Sequence, residues 1–574
     1  MTTLVILRFL GIFAVYTGVT LALPALMFRR ILRGRSLAEQ FLMCYTFGNF
    51  YIINIVFLLQ LLHISNFFTL AGLTAVLSIV IGGRVNRIPL KQQAGNTWHL
   101  FGKLLRGRMK LKSAIFLFLG KCAEGIKRLA KFFYRHIVKN PIQSMLLLGI
   151  GVCLCWIYGR QIILVYGYRA SDIPVHMSWI NEMSRGKIFA KGVYPFGFHC
   201  MIYYLHAVFR FDTYVILCQF FFAQVIFMHL VLLAMLKQLC KTKYIPYIGT
   251  FVFLLGNFWS GQTYSRFYAT LPQEFGMIFV IPSIYFLIRF FQIPKQKLAD
   301  KETRLTLQCF AMAFSLTLAI HFYGTMIAGL CCIGIACGFC FRFLRKEYFR
   351  RIMFTGICSV FLAVLPMGIA FATGTPLQGS LGWGLSVING GKSSSSTETE
   401  AETDEAGTLE VSTGDDKNTV RVVKPDGTVM EIDVSDLPSA QENESGGQTQ
   451  TENTAPAVPK VSFGEKIRKI PGKAKNALSE MSSRILEFII KLDVKNIGYM
   501  ILASFALLLL LGLVFCIFRQ PGYGAMLMSM GFCMWIVTIL LCAGVFGLPP
   551  LMDGARCSIY YVYLLSAALT ALAG

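Results

Sequence analysis

The feature that limits this chain most is a series of apolar runs, each close to the ~20 residues that carry a helix across a hydrocarbon layer, beginning at residues 4–28. Read with that window, the sequence offers about thirteen such runs. They are continuous in Leu, Phe and Ile, unlike the short alternating segments of a transmembrane β-barrel. A soluble core has no place for so much apolar surface, with 55% hydrophobic residues and a mean hydropathy of +0.60. The expected fold class is therefore an all-α polytopic integral membrane protein of about thirteen transmembrane helices.

The net charge of +25 sits in short loops between the runs. Fourteen Lys or Arg and one acid, Glu124, fall within 84–142, and Arg29, Arg30, Arg33 and Arg35 form an earlier cluster. Positive loops beside spans mark the cytoplasmic side. Spans near 4–28, 41–63, 66–83 and 143–165 then place the segment after Tyr166 on the outer face. Basic loops at Lys237–Lys243, Lys295–Arg304 and Arg342–Arg351 fit the same count. The stretch 198–210 is too short to cross and reads as an amphipathic helix on the outer surface. Nucleic acid is not an expected partner, since no reading motif accompanies the charge. Anionic membrane lipids are the expected contact of 103–139.

Residues 391–460 hold fifteen of the chain's twenty-nine acids and five basic residues. With so few apolar groups to offset ordering entropy, this outer-face insertion is expected to be disordered, apart from a small hairpin at 420–434 around Pro425, Asp426 and Gly427. Residues 461–496 read as interfacial helices. The organisation expected is thus N-terminal spans in 1–83, a basic cytoplasmic segment in 84–142, a transmembrane core in 143–390, the insertion, the interfacial helices, and C-terminal spans in 497–574. The last run reaches Gly574 without a polar flank and reads as a span cut short. The seventeen cysteines lie mostly inside apolar runs, with no pair of CxxC motifs of the zinc-site kind, and read as small hydrophobes. A Cys200–Cys557 disulfide at the outer face stays open.

The densest polar cluster in the outer loops is 166–199, YGYRASDIPVHMSWINEMSRGKIFAKGVYPFGFH, with Asp172, His176, Glu182, Arg185, Lys187, Lys191 and His199. A carboxylate there can take a proton from an attacking hydroxyl while nearby cations hold a phosphate leaving group. Equally, Asp172 before Ile173 and Pro174 fits a helix N-cap. The stretch 256–276 adds Trp259, Tyr264, Arg266, Tyr268 and Glu274, which suit sugar faces and phosphate or, alternatively, an interfacial aromatic belt. His321 stands at a helix end near the same face. Arg556, beside Asp553, is either a phosphate ligand or half of a local ion pair.

In this order of parts the chain resembles the GT-C class of polytopic glycosyltransferases, which use sugars carried on polyprenyl phosphate. The resemblance is carried by the span ending at Val165, Asp172 in the following loop, YPFGFH at 194–199, the helix to Arg210 and the span ending at Lys237. It covers most of the chain as architecture and about forty residues as motif. It implies a GT-C-like fold in a cell membrane, a polyprenyl-phosphate-sugar donor and a glycan or protein acceptor at the outer face. It further implies catalytic roles for Asp172, His176 and Glu182. Substrate or phosphate contacts would come from Arg169, Lys187, Lys191, Tyr194, His199, Arg266, Glu274, His321 and Arg556. Related enzymes often place two acids side by side in this loop, whereas here Glu182 lies ten residues beyond Asp172. The three or so spans before the loop exceed the family core, and residues 1–142 read as an added module.

No cofactor is indicated by the residues. No outer cluster shows Cys or His at metal-ligand spacing, and a divalent ion on Asp172 and another acid stays open. Neither a GxxxxGKS loop nor a GxGxxG turn is present. Two other classes compete: a transporter or flippase of lipid-linked glycans, which needs polar groups near the bilayer midplane, and a glycan polymerase or ligase.

Overall fold

A computed structural model describes residues 2–87, 110–165, 167–259, 265–379, 475–490, 495–518, 520–548 and 551–574, isolated positions between 95 and 107, and three short strands within 410–433. By length and composition, eleven of the described helices can cross a membrane. Two shorter apolar helices, Ile245–Phe258 and Phe322–Gly338, account for expected runs that fall below that length. Inside lipid every backbone N–H and C=O has to be paired within the segment, and the helix does this without outside partners.

Thr213–Leu239 and Pro272–Gln292 are buried along almost their whole length and form the centre. Leu37–Leu61, Lys301–Ile320 and Gly554–Ala573 pack against them, and Pro521–Leu541 packs on Phe322–Gly338, Asn496–Ile517 and Gly554–Ala573. Pro141–Leu164, Lys346–Ala372 and Asn496–Ile517 lie at the periphery, with Leu148, Trp156, Phe354 and Leu510 exposed as lipid-facing side chains should be. One polar cluster inside the bundle pairs internally: the Tyr16 hydroxyl donates to Asn49 Oδ1 at 3.0 Å and shares a 2.8 Å bond with Tyr45. Small residues allow the closest helix approach. A Cβ on Gly334 would stand 2.7 Å from Cys533 N, and one on Gly338 would collide with the Ser529 backbone. Phe322–Gly338 and Pro521–Leu541 therefore meet nearly backbone to backbone, as membrane helices do where Gly and Ser line the contact.

Helices alternate in direction, so the segments after Leu164, before Pro272, at His321, after Ala372 and before Gly554 all fall at one end of the bundle. Two non-spanning helices sit there, Ile173–Ser184 and Gly197–Phe209. The second corrects an expectation, because it does not lie on the surface. Gly197 to Leu205 are all buried against Leu37–Leu61, Ile173–Ser184 and Thr213–Leu239, since its residues are almost uniformly apolar and leave no polar face for solvent. An isolated parallel bridge joins Val193 to Leu377: Val193 N–H donates to Pro376 O at 2.8 Å and Gln378 N–H to Val193 O at 3.2 Å. Gly192, at φ +105°, permits that approach, because a side chain there would meet the Gln378 backbone.

In the basic segment, Leu111–Lys139 is one helix of 29 residues. Residues 475–490 are helical, with Met481, Ile485 and Ile489 buried. Cys200 and Cys557 are both buried free thiols, so no disulfide joins them. The chain divides into a unit of 1–389 with 472–574, and a second unit of 390–471. Within the second, Thr419–Val423 pairs antiparallel with Val429–Asp433, and an additional strand, Glu410–Thr413, pairs with the first. The rest of the segment expected to be disordered lies outside the described residues.

Candidate functional site

At the end of the bundle shared by those segments is a cavity of about 260 Å³, lined by Asp172, Val175, His176, Trp179, Tyr194, Arg266, Leu271, Pro272, Gln273, His321, Gln378 and Arg556. Six stretches of chain meet in it, from the loop after Val165 to the start of Gly554–Ala573.

Asp172 occupies the N-cap position of Ile173–Ser184, and Pro174 near the helix start is compatible with it. Its side chain nevertheless makes no capping hydrogen bond. The Ser171 hydroxyl donates to Oδ1 at 3.3 Å, and the carboxylate stands on the cavity wall. His176 is one turn further along the helix, so the two side chains share a face.

The two arginines differ. Arg266 Nε donates to Glu274 Oε1 at 2.6 Å, and Glu274 is 1% exposed. That buried carboxylate neutralises Arg266 and fixes its guanidinium between cavity and helix. Arg556 forms no ion pair among the described residues, with Asp553 or any other acid. Its guanidinium lies over the Tyr323 ring, 5.6 Å from the centroid. It is thus the cavity's uncompensated cation among the described residues, available to an anion.

Burial governs the other titratable groups. It pushes the His176 imidazole down to about 4, against an upward pull from Asp172, and His321 down to about 3, helped by Arg556 and His176. It raises the Tyr194 phenol to about 12. These groups are neutral near pH 7. His321 caps Phe322–Gly338 by accepting the Tyr323 N–H on Nδ1 at 3.2 Å. Trp179 closes one side, its ring 5.4 Å from those of Tyr194 and Phe196.

Several expected site residues are placed elsewhere. Glu182 pairs with Arg185 at 2.6 Å, nearly three turns along the helix from Asp172, and does not line the cavity. Lys187 and Lys191 are exposed outside it. Arg169 donates to the Val165 carbonyl at 2.9 Å and to that of Gln161, and packs over Phe221 and Tyr268, so it caps the preceding helix instead of facing a ligand. His199 is fully buried behind His176, and Glu274 behind Arg266. Tyr264 and the Trp259 side chain lie outside the described residues. Trp179, Gln273 and Gln378 line the cavity without having been singled out from sequence. Trp179 had a signal, standing three residues after His176 and so on the same helix face. Gln378 had none, because only the bridge to Val193 brings it in. Among the described residues no group of three or more His, Cys, Asp or Glu is arranged to hold a metal ion.

Compared with known proteins, the chain matches no protein-family model, no curated protein and no solved structure.

Proposed function

We propose that this chain is a membrane glycosyltransferase that moves a sugar from a polyprenyl-phosphate donor to an acceptor at the outer face of a cell membrane. The observation that carries the reading is that one cavity at the end of the helical bundle holds both a carboxylate free of its capping role, Asp172, and a cation, Arg556, that has no ion-pair partner among the described residues. Asp172 takes the proton of an acceptor hydroxyl as the new bond forms at the sugar's anomeric carbon. The bond from that carbon to the phosphate oxygen breaks, and the lipid phosphate leaves with the electron pair, its charge met by Arg556. Trp179 and Tyr194 offer ring faces to the sugar.

The lipid-borne part of the reading is supported by an apolar groove of about 820 Å³ along the peripheral Lys346–Ala372 helix, between Phe314 and Phe361. The groove ends at Ala372, six residues before Gln378 on the cavity wall. The outer-face assignment follows from the basic loops at the opposite helix ends.

Purified protein supplied with labelled polyprenyl-phosphate sugars and candidate acceptors tests the proposal. Transfer by the parent, lost in Asp172→Asn and in Arg556→Gln, is expected. Equal transfer by Asp172→Asn would sink the assignment of the base. Counterflow of a lipid-linked glycan across vesicles with no new glycosidic bond would replace the enzyme reading by transport.

A further inference from the structure

The two histidines nearest Asp172 are not equivalent. His176 stands on the cavity wall, while His199 is fully buried behind it, among Trp179, Phe196 and Phe198. Their rings are joined through His199 Nε2 and His176 Nδ1, 3.1 Å apart. One proton occupies that bond, and it has two possible owners. If it belongs to His176 Nδ1, His176 turns a lone pair to the cavity and His199 carries its proton on Nδ1, a buried atom with no partner among the described residues. If it belongs to His199 Nε2, the unpaired His199 Nδ1 is only a lone pair, and His176 carries its own proton on Nε2.

Two physical arguments favour the second arrangement. Orphaned N–H donors are rarer in protein interiors than under-used acceptors. Asp172, one turn back on the same helix, also acts electrostatically on His176, and a carboxylate favours a proton over a lone pair on its neighbour.

We infer that His199 is a positioning residue that holds His176 as the Nε2–H tautomer, so that His176 meets the cavity as a neutral hydrogen-bond donor and not as a base. What that donor contacts rests on the sugar-transfer reading: a phosphate oxygen of the departing lipid, with Asp172 alone taking the acceptor's proton. His321 reaches the same state by another route. Its Nδ1 is occupied by the Tyr323 N–H, so in the neutral ring the proton sits on Nε2. Burial keeps both cavity histidines and His199 uncharged near pH 7. The cavity then offers an anion two neutral N–H donors beside Arg556, gaining hydrogen bonds without repelling the cation it needs.

Nitrogen-15 NMR of the full-length protein, purified in detergent with labelled histidine, reads the tautomer directly. The His176 signals are assigned by their loss in His176→Gln. The expected spectrum has His176 protonated at Nε2 and bare at Nδ1. His199→Phe, which fills the space without a polar atom, is expected to give a tautomer mixture and about 10²-fold slower transfer, within the range for losing one hydrogen-bond donor to the developing phosphate charge. His199→Gln, which retains an N–H, restores the tautomer and most of the rate. A parent spectrum with His176 protonated at Nδ1 overturns the inference whether or not sugar is transferred, and so does an unchanged His176 signal in His199→Phe. The expected tautomer in a protein that transfers no sugar would refute the enzyme reading and leave this one standing.

Discussion

Asp172→Asn is expected to cut transfer by at least ~10²-fold while changing thermal stability by under about 0.5 kcal/mol, because the carboxylate makes no capping bond that the amide would lose. Activity and thermal unfolding measured on one preparation check both halves. Glu274→Gln should behave oppositely. It leaves Arg266 without its buried partner and is expected to cost about 3 kcal/mol, visible as a lower unfolding temperature. Glu182→Gln, whose partner Arg185 is at the surface, should change stability by less than about 1 kcal/mol and leave transfer intact. At this scale the sequence was legible where residue type and loop position agreed, as for Asp172, His176, Arg266, His321 and Arg556. It was not legible for Glu182, Lys187 and Lys191, whose proximity along the chain to Asp172 is undone by a helix and turn that carry them away. The buried places of His199 and Glu274 depend on contacts with distant elements, which no local pattern announces.

The Ile173–Ser184 and Gly197–Phe209 helices are locked by an interior imidazole pair whose protonation is deferred on folding. The unfolded chain takes up protons on these rings near pH 6.5, whereas His176 waits until about 4, and His321 on the neighbouring wall until about 3. The stability that depends on neutral rings is therefore complete above about pH 6.5 and is lost as the pH falls toward 4, where the unfolded state binds more protons. Unfolding temperatures recorded from pH 7 to 4 should drop, with a shallower slope in His199→Phe. Elsewhere, Gly334→Leu should separate Phe322–Gly338 from Pro521–Leu541, costing about 1–3 kcal/mol by overpacking, read in the same assay. Spans and their approximate ends followed from hydropathy alone, because lipid leaves a chain few choices. Which faces meet did not, and Gly334 and Gly338 four residues apart were the unused clue.

Taken whole, the bundle brings residues as far apart as Asp172 and Arg556 to one place, so the cavity exists only in the assembled membrane body. Its orientation is open to a direct test. With Glu182→Cys, an impermeant maleimide added outside intact cells should label position 182, and labelling only after access from the cytoplasm would reverse the topology. The alternation of basic and neutral loops was readable because charge translocation is costly across a whole membrane. Convergence of six stretches on one cavity was not, since it depends on packing in three dimensions. The Val193–Leu377 bridge adds a last consequence. Neighbouring residues in extended backbone point opposite ways, so a register slip of one position would exchange Gln378 for Leu377 at the wall. One glycine inserted after Gly374 would thus make a greasy patch of a polar one and change what the cavity admits, with Asp172, His176 and Arg556 still in their places.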